Sequence, residues 1–418
     1  MNGEDHKPTV ALPSKRAPPF AFFFLHVCTA WPVGVVGLAL GSSLVGAGVS
    51  VHHSAGIIAA ATLAFTLEFL WAPMVDACWT RRRWYVGGAA VMCICLAALL
   101  IAPRNSASVP LMTALAFSSC SGAAIAAVAV KGLMAYDVPT AQLGAASGFY
   151  TAGGTFAKAV GGAGTLWLLT HVSGRFFVAG LSTGAAALSA TAILLASPGR
   201  SAPLREFPAK LRAALVELWN FICTRSGMLI AVLCVIPFGA GTEAGLIGAI
   251  AREWAISPDQ LAAYGALGAV TSVTGAIVAG WLSTRIGPWA VYIIGGWAMI
   301  AAMIGFAVAP RAAIYFLTAE LLYRALAAGC YAALLGIVMT AIGKGAASTK
   351  AAALWSVTNF AIVYPTVLEG AVHDRAGTVA MLLTDAGLGA AGFGMLMLAT
   401  RLLGLRLNAS PSPAVAGK

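Results

Sequence analysis

The stretch FTLEFLWAPMVDACWTRRRWYV, residues 65–86, decides how the rest of the chain is read. An apolar run carries one carboxylate, Glu68, and then closes with Asp76 and three successive arginines, Arg81, Arg82 and Arg83. Oily segments that end in basic clusters are the mark of membrane helices, whose cytoplasmic ends collect Lys and Arg. The composition around this stretch agrees. The chain has 418 residues, of which 60% are hydrophobic and 9% charged, with a mean hydropathy of +0.88. Soluble domains carry about 25% charged residues. So few charges cannot cover a water-soluble fold of this length, and a polytopic all-α membrane protein is expected. The first apolar run is longer than a signal-peptide core and no small-residue cleavage site follows it, so no cleaved signal is expected.

A helix needs about 20 apolar residues to cross a bilayer. Such runs lie near 20–45, 54–75, 84–102, 109–132, 144–170, 174–196, 226–250, 260–283, 288–308, 311–340, 346–371 and 378–403, twelve in all. Between the sixth and seventh, SPGRSAPLREFPAKLRAALVELWNFICTR is rich in Pro and Arg and then turns amphipathic, with Phe207, Leu211, Leu215, Leu218, Trp219 and Ile222 at helical spacing. This predicts a linker plus a helix lying on the membrane surface. The expected organisation is a tail at 1–19, a six-helix half at 20–196, the linker at 197–225, a second six-helix half at 226–403 and a tail at 404–418.

Orientation follows from counting Lys and Arg. With the N-terminus inside, only Arg104, Arg175, Arg252, Arg311 and Arg375 fall in outside loops, and Lys131, Lys158 and Arg324 fall within spans. The other seventeen of the 25 basic residues are inside, which places both termini in the cytoplasm. The net charge of +11 is mostly this topological signal, so no nucleic-acid partner is implied. The eight cysteines form no CxxC pair and read as small buried hydrophobes. His52 and His53 read as a solvated loop pair.

An internal repeat supports the division into halves. Moved along the chain by 208 residues, the opening stretch falls on AGWLSTRIGPWAVYIIGG, residues 279–296, with Asp76 on Thr284 and Gly87-Gly88 on Gly295-Gly296. Gly280-x-Leu282-x-x-Arg285-x-Gly287 resembles the loop motif of the major facilitator superfamily, G-x-L-x-D-R-x-G, with Thr284 where that family usually has Asp. The first copy keeps Asp76 and the basic cluster without the glycines. The resemblance implies that Asp76, Arg81, Arg82, Arg83, Gly280, Arg285 and Gly287 form a cytoplasmic gating motif that latches the halves in the outward-facing state. Ordinary positive-inside anchoring would explain the arginines but not Asp76.

Within that superfamily the opening stretch is similar to the second span of the branch holding muropeptide permeases, acetyl-CoA transporters and some siderophore permeases. That span reads roughly K-F-L-W-x-P-x-x-D before its basic cluster. STKAAALWSVTNFAIVYPTVLEGAVHDRAG, residues 348–377, resembles the eleventh span of the same branch, and LGAASGFYTAGG the start of its fifth. The charges depart from the pattern. Glu68 stands where the branch has Lys, and Lys131 lies in a fourth span that usually carries aspartates. The two are therefore expected to be an exchanged pair that face each other.

Charges within spans cost about 2.5–3.5 kcal/mol each and are functional candidates by default. Those expected at a substrate or coupling site are Glu68, Lys131, Lys158, Glu243, Glu320 and Arg324, with the mid-span Asn359. Glu320 and Arg324 are one turn apart and share a helix face, suited to orienting a cargo carboxylate or phosphate. Glu243 lies in PFGAGTEAGLIG, a stretch expected to break the seventh helix, and has no cation in its own helix, so it is the expected proton carrier. Lys131, near the cytoplasmic end, could also simply snorkel. Asp385 and Glu369, closer to the outer surface, are expected to serve packing. Trp31, Trp71, Trp297 and Trp355 are deep enough to stack on a ligand, although lipid or core packing is the simpler reading.

No nucleotide-binding loop, catalytic triad, metal signature or cofactor motif appears, so no cofactor and no enzyme activity are expected. The resemblance implies a monomeric secondary transporter of a bacterial inner membrane. It would import a bulky polar solute, muropeptide-like or siderophore-like, with protons. The alternatives are a proton-antiporting exporter of amphiphilic compounds and, more distantly, a membrane-embedded transferase.

Overall fold

The computed structural model describes residues 17–47, 49, 51–197, 206–237, 250–256 and 258–404. The described chain is helical, with no strand among those residues. The first half comprises α1 (Ala21–Gly34), α2 (Gly41–Gly46), α3 (Val51–Thr66), α4 (Glu68–Ala77), α5 (Arg81–Ile101), α6 (Val109–Asp137), α7 (Leu143–His171) and α8 (Arg175–Ala190). Then come the linker helix α9 (Phe207–Ile222) and α10 (Arg225–Val235). The second half continues with α11 (Pro258–Ile286), α12 (Pro288–Val308), α13 (Ala313–Ile342) and α14 (Ala347–Leu403). Gly377, at φ 78°, breaks α14 into two arms. Only glycine adopts such a φ cheaply, and the break gives the eleventh and twelfth spans.

Some spans are assembled from two pieces. The first is α1 joined through a π-helical stretch, Val35–Leu40, to α2, just after Pro32 removes a backbone donor. The second is α3 and α4, interrupted at Leu67 so that Glu68 opens α4. Among the described residues nine segments are long and apolar enough to cross a membrane, and α9 with α10 form a further pair bent by 83°. The chain is an all-α membrane protein of twelve spans in two six-helix halves.

Glycine lets the helices approach closely. Gly153, Gly154 and Gly162 of α7 lie against Phe23, His26 and Gly34 of α1, and a Cβ at any of the three would overlap its neighbour. The same device joins the halves: Gly144 and Gly148 of α7 cross Gly280 of α11 backbone to backbone.

Linker helix α9 caps one end of the bundle, where the α4–α5 turn also lies; this end is called the linker face. Lys350 of α14 reaches Glu217 of α9 at 3.6 Å. Ala214 is buried, while Trp219 is 68% exposed and Leu215 and Val216 are exposed beside it. Such a helix buries one side and offers an apolar edge to lipid headgroups.

Candidate transport site and gate

Asp76, in the last turn of α4, joins the halves at the linker face. One oxygen, Oδ1, accepts from Arg81 Nη2 at 2.9 Å. The other accepts from the backbone N–H of Thr349 at 2.8 Å and from its hydroxyl at 2.9 Å. Thr349 is in the first turn of α14, so a carboxylate of one half caps the positive end of a long helix in the other. Arg81 also stacks 3.9 Å over the Tyr136 ring, and Gly132 packs against Arg81 and Ser348 with no room for a Cβ. Two of the three non-glycine residues at positive φ among the described residues, Trp79 (57°) and Ala346 (43°), flank this junction. Such backbone costs about 1–3 kcal/mol and persists where its surroundings hold it.

The rest of the expected gating motif is placed differently. Arg82 is half-buried and Arg83 exposed, and neither makes an ion pair among the described residues. In the second copy, Thr284 donates back to Trp281 of its own helix at 2.6 Å, and the exposed Arg285 lies 5.2 Å over the Trp281 ring. Gly280 is a helix-crossing residue, and Gly287, at φ 87°, makes the turn into Pro288. A threonine cannot provide the two-oxygen grip of Asp76, so the tie between halves is made by the first copy.

Deeper in the first half, Lys131 Nζ lies 2.5 Å from Glu68 Oε1, with each residue 1% exposed. Lys131 therefore does not snorkel. Glu68 occupies the first turn of α4, where the helix end favours an anion. Trp355 of α14 covers the pair, its ring 5.3 Å from Lys131 Nζ. Tyr331 meets the same indole edge-on, with 6.4 Å between ring centroids. Tyr331 lines a small cavity of about 20 Å³ with Ile236, Tyr292, Cys330, Thr358 and Ala361. The buried ion pair, the tryptophan and the cavity thus follow one another across the seam between halves.

Other expected site residues are scattered. Arg324 Nε donates to Glu320 Oε1 at 2.5 Å; the carboxylate is buried and its Oε2 has no partner among the described residues, while the guanidinium is about one-third exposed. Asn359, next to Thr358 of the cavity wall, is half-buried and makes no hydrogen bond among the described residues. Lys158 is exposed on α7 and also lacks an ion-pair partner among them. Glu243 lies outside the described residues.

Two further groups stand out, the first expected from the sequence only to serve packing and the second not picked out at all. Glu369 is wholly buried beside Asp385, and Tyr323 donates to Asp385 at 3.5 Å. The second is His26 of α1, hydrogen-bonded to the backbone of Tyr150. A lone histidine in an apolar run has no spacing pattern to betray it.

Residues 22–364 match the family model of the Major Facilitator Superfamily, and the chain belongs to that superfamily. It is a secondary transporter by fold. No curated sequence matches it. Among solved structures it is similar to the human organic anion transporter MFSD10 (TETRAN), with 17% identity, TM-score 0.65 and coverage of 92% of this chain and 100% of that one. A bacterial homologue of the iron transporter ferroportin, in an outward-facing state, aligns at 13% identity and TM-score 0.67 over 92% and 98%. The Escherichia coli fucose:proton symporter FucP aligns at 14% identity and TM-score 0.70 over 91% and 97%.

Proposed function

We propose that the chain is a monomeric, proton-coupled importer of a bulky polar solute in a bacterial inner membrane, with both termini cytoplasmic. The observation that carries this reading is the Glu68–Lys131 pair, buried in one half and sealed by Trp355 of the other. An ion pair in that position is dry only while the halves are closed over it. Opening the linker face withdraws Trp355 and hydrates both charges, so the energy of the pair depends on which side is open. The Lys and Arg count makes the linker face cytoplasmic, and Asp76 closes it onto Thr349, which supports an outward-facing state.

Glu243 takes the proton in this scheme, and Glu320–Arg324 orients an acidic group of the cargo. Proton symport is supported by the fold it shares with FucP, a fucose:proton symporter. The resemblance of residues 65–86 and 348–377 favours muropeptide-like or siderophore-like cargo. The test is uptake of labelled muropeptide and ferric siderophore into right-side-out vesicles energised by an inward proton gradient. Accumulation of one cargo that an uncoupler abolishes is expected. Uncoupler-sensitive efflux instead would reverse the direction and make the chain an exporter.

A further inference from the structure

His26 stands in a helix, Ala21–Gly34, that carries no other titratable side chain apart from Cys28. Its Nδ1 lies 2.5 Å from the carbonyl oxygen of Tyr150. A carbonyl only accepts, so Nδ1 carries the hydrogen and Nε2 is left as the site for a second proton. The imidazole is stacked on the Tyr150 ring, 3.6 Å between centroids and 10° from parallel, and rests on Gly154, where any side chain would collide with it. Ring position and tautomer are thus set by the fold.

Lys158 is one turn beyond Gly154 and on the same face of α7. Side chains on a helix lean toward its N-terminus, which tilts the lysine toward the imidazole. Phe156, Val160 and Trp167 form an exposed apolar stripe along α7. At about 100° per residue, Lys158 lies roughly 160° from Phe156 and Val160. Its exposure is therefore on the side of α7 away from that stripe, beside Gly34 of α1.

The charged and titratable groups around His26 are few. Lys158 and Tyr150 belong to α7, Lys131 to α6, and Tyr85 to α5, where it donates to the Leu25 carbonyl. Glu68 of α4 is already bound to Lys131. This half thus has, among the described residues, one lysine with no acid partner and one fixed imidazole whose Nε2 makes no hydrogen bond. A proton on Nε2 would face two ammonium groups. An oxyanion between Nε2 and Lys158 Nζ removes that repulsion and satisfies both donors.

We propose that His26 and Lys158 form an oxyanion site that takes a carboxylate or phosphate group of the cargo together with one proton on Nε2. The proposal rests on the transport reading and names the chemical feature the cargo carries. The proton comes from water on the open side and leaves with the anion on the other, so this step moves no net charge.

Three probes share one sugar: N-acetylmuramate bears a carboxylate, N-acetylglucosamine 6-phosphate a phosphate, and N-acetylglucosamine neither. Each is added to purified, ¹⁵N-histidine-labelled full-length protein, with the His26 signals identified by their loss in His26→Gln. At least one charged sugar should convert Nε2 from a bare to a protonated nitrogen, and the neutral sugar should not. Which charged sugar acts distinguishes a carboxylate cargo from a phosphate cargo. Affinity for that sugar should rise about tenfold for each unit fall in pH over the range where His26 titrates, and lose this dependence in His26→Gln. Lys158→Gln should weaken it by roughly tenfold to a hundredfold, and Lys158→Arg should keep it. A His26 signal that ignores both charged sugars, or that responds equally in Lys158→Gln, overturns the proposal. The experiment needs no gradient, so a positive result without uncoupler-sensitive uptake would remove the transport reading and leave the site standing.

Discussion

Replacing Glu68 with glutamine keeps the shape of the side chain and removes its charge, which leaves the ammonium of Lys131 buried. Both residues are 1% exposed and their charged atoms are 2.5 Å apart, so water cannot replace the lost carboxylate without a change in packing. Removing one member of a buried pair costs about 3–5 kcal/mol, because the survivor keeps its desolvation penalty and loses its counter-charge. Trp355 does not offset this, since its contact with Lys131 is present before and after. The cost is a large share of the roughly 5–15 kcal/mol that holds a typical domain folded. It can be read from reversible denaturant unfolding in detergent, applied to Glu68→Gln, Lys131→Met and the double variant. Each single variant should lose about 3–5 kcal/mol, and the double variant should recover most of it because no charge remains unpaired. The exchange Glu68→Lys with Lys131→Glu should restore some transport that either single change abolishes. Single variants within about 0.5 kcal/mol of the parent, or losses that simply add in the double, would refute the reasoning.

Glu369→Gln should behave in the opposite way, shifting stability by less than about 1 kcal/mol in the same assay, because the buried Glu369 carboxyl has no cation partner to lose among the described residues. Gly148→Leu should abolish transport, since a side chain there collides with the α11 backbone at Gly280; vesicle uptake checks it. Arg324→Ala should weaken cargo binding by roughly tenfold or more, as loss of a charge-assisted bond does, read by titration calorimetry. Glu243→Gln should abolish gradient-driven accumulation while counterflow exchange continues; full accumulation would move the proton to Glu68 or Glu320.

The membrane class and the span pattern were legible because composition and the length of apolar runs depend on the bilayer alone. The meeting of Glu68 and Lys131 could be anticipated because a charge left alone in a span is costly, and each stood in a slot where the other sign is usual. Depth misled in two places. Lys131 looked near enough to a helix end to snorkel, yet α4 and α14 close over it, and Glu369 and Asp385 looked superficial though tertiary packing buries them. The second motif copy shows the limit of a pattern: Thr284 keeps the register of Asp76 but not its two oxygens, so the tie to Thr349, 273 residues from Asp76 in sequence, belongs to one copy only. His26 was invisible for another reason. Its importance lies in a carbonyl of Tyr150, 124 residues away, and in the missing side chain of Gly154.

The central claim is that the two halves alternate about a seam closed by Asp76 and Trp355. Spin labels at positions 83 and 344, both exposed on the linker face and on opposite halves, measure that seam by electron-resonance distance spectroscopy in lipid nanodiscs. Asp76→Ala should shift the distance distribution toward a longer component that the parent populates only slightly, and the parent should reach the same component with transported cargo at acidic pH. A single distance unchanged by Asp76→Ala, by cargo and by pH would contradict the account.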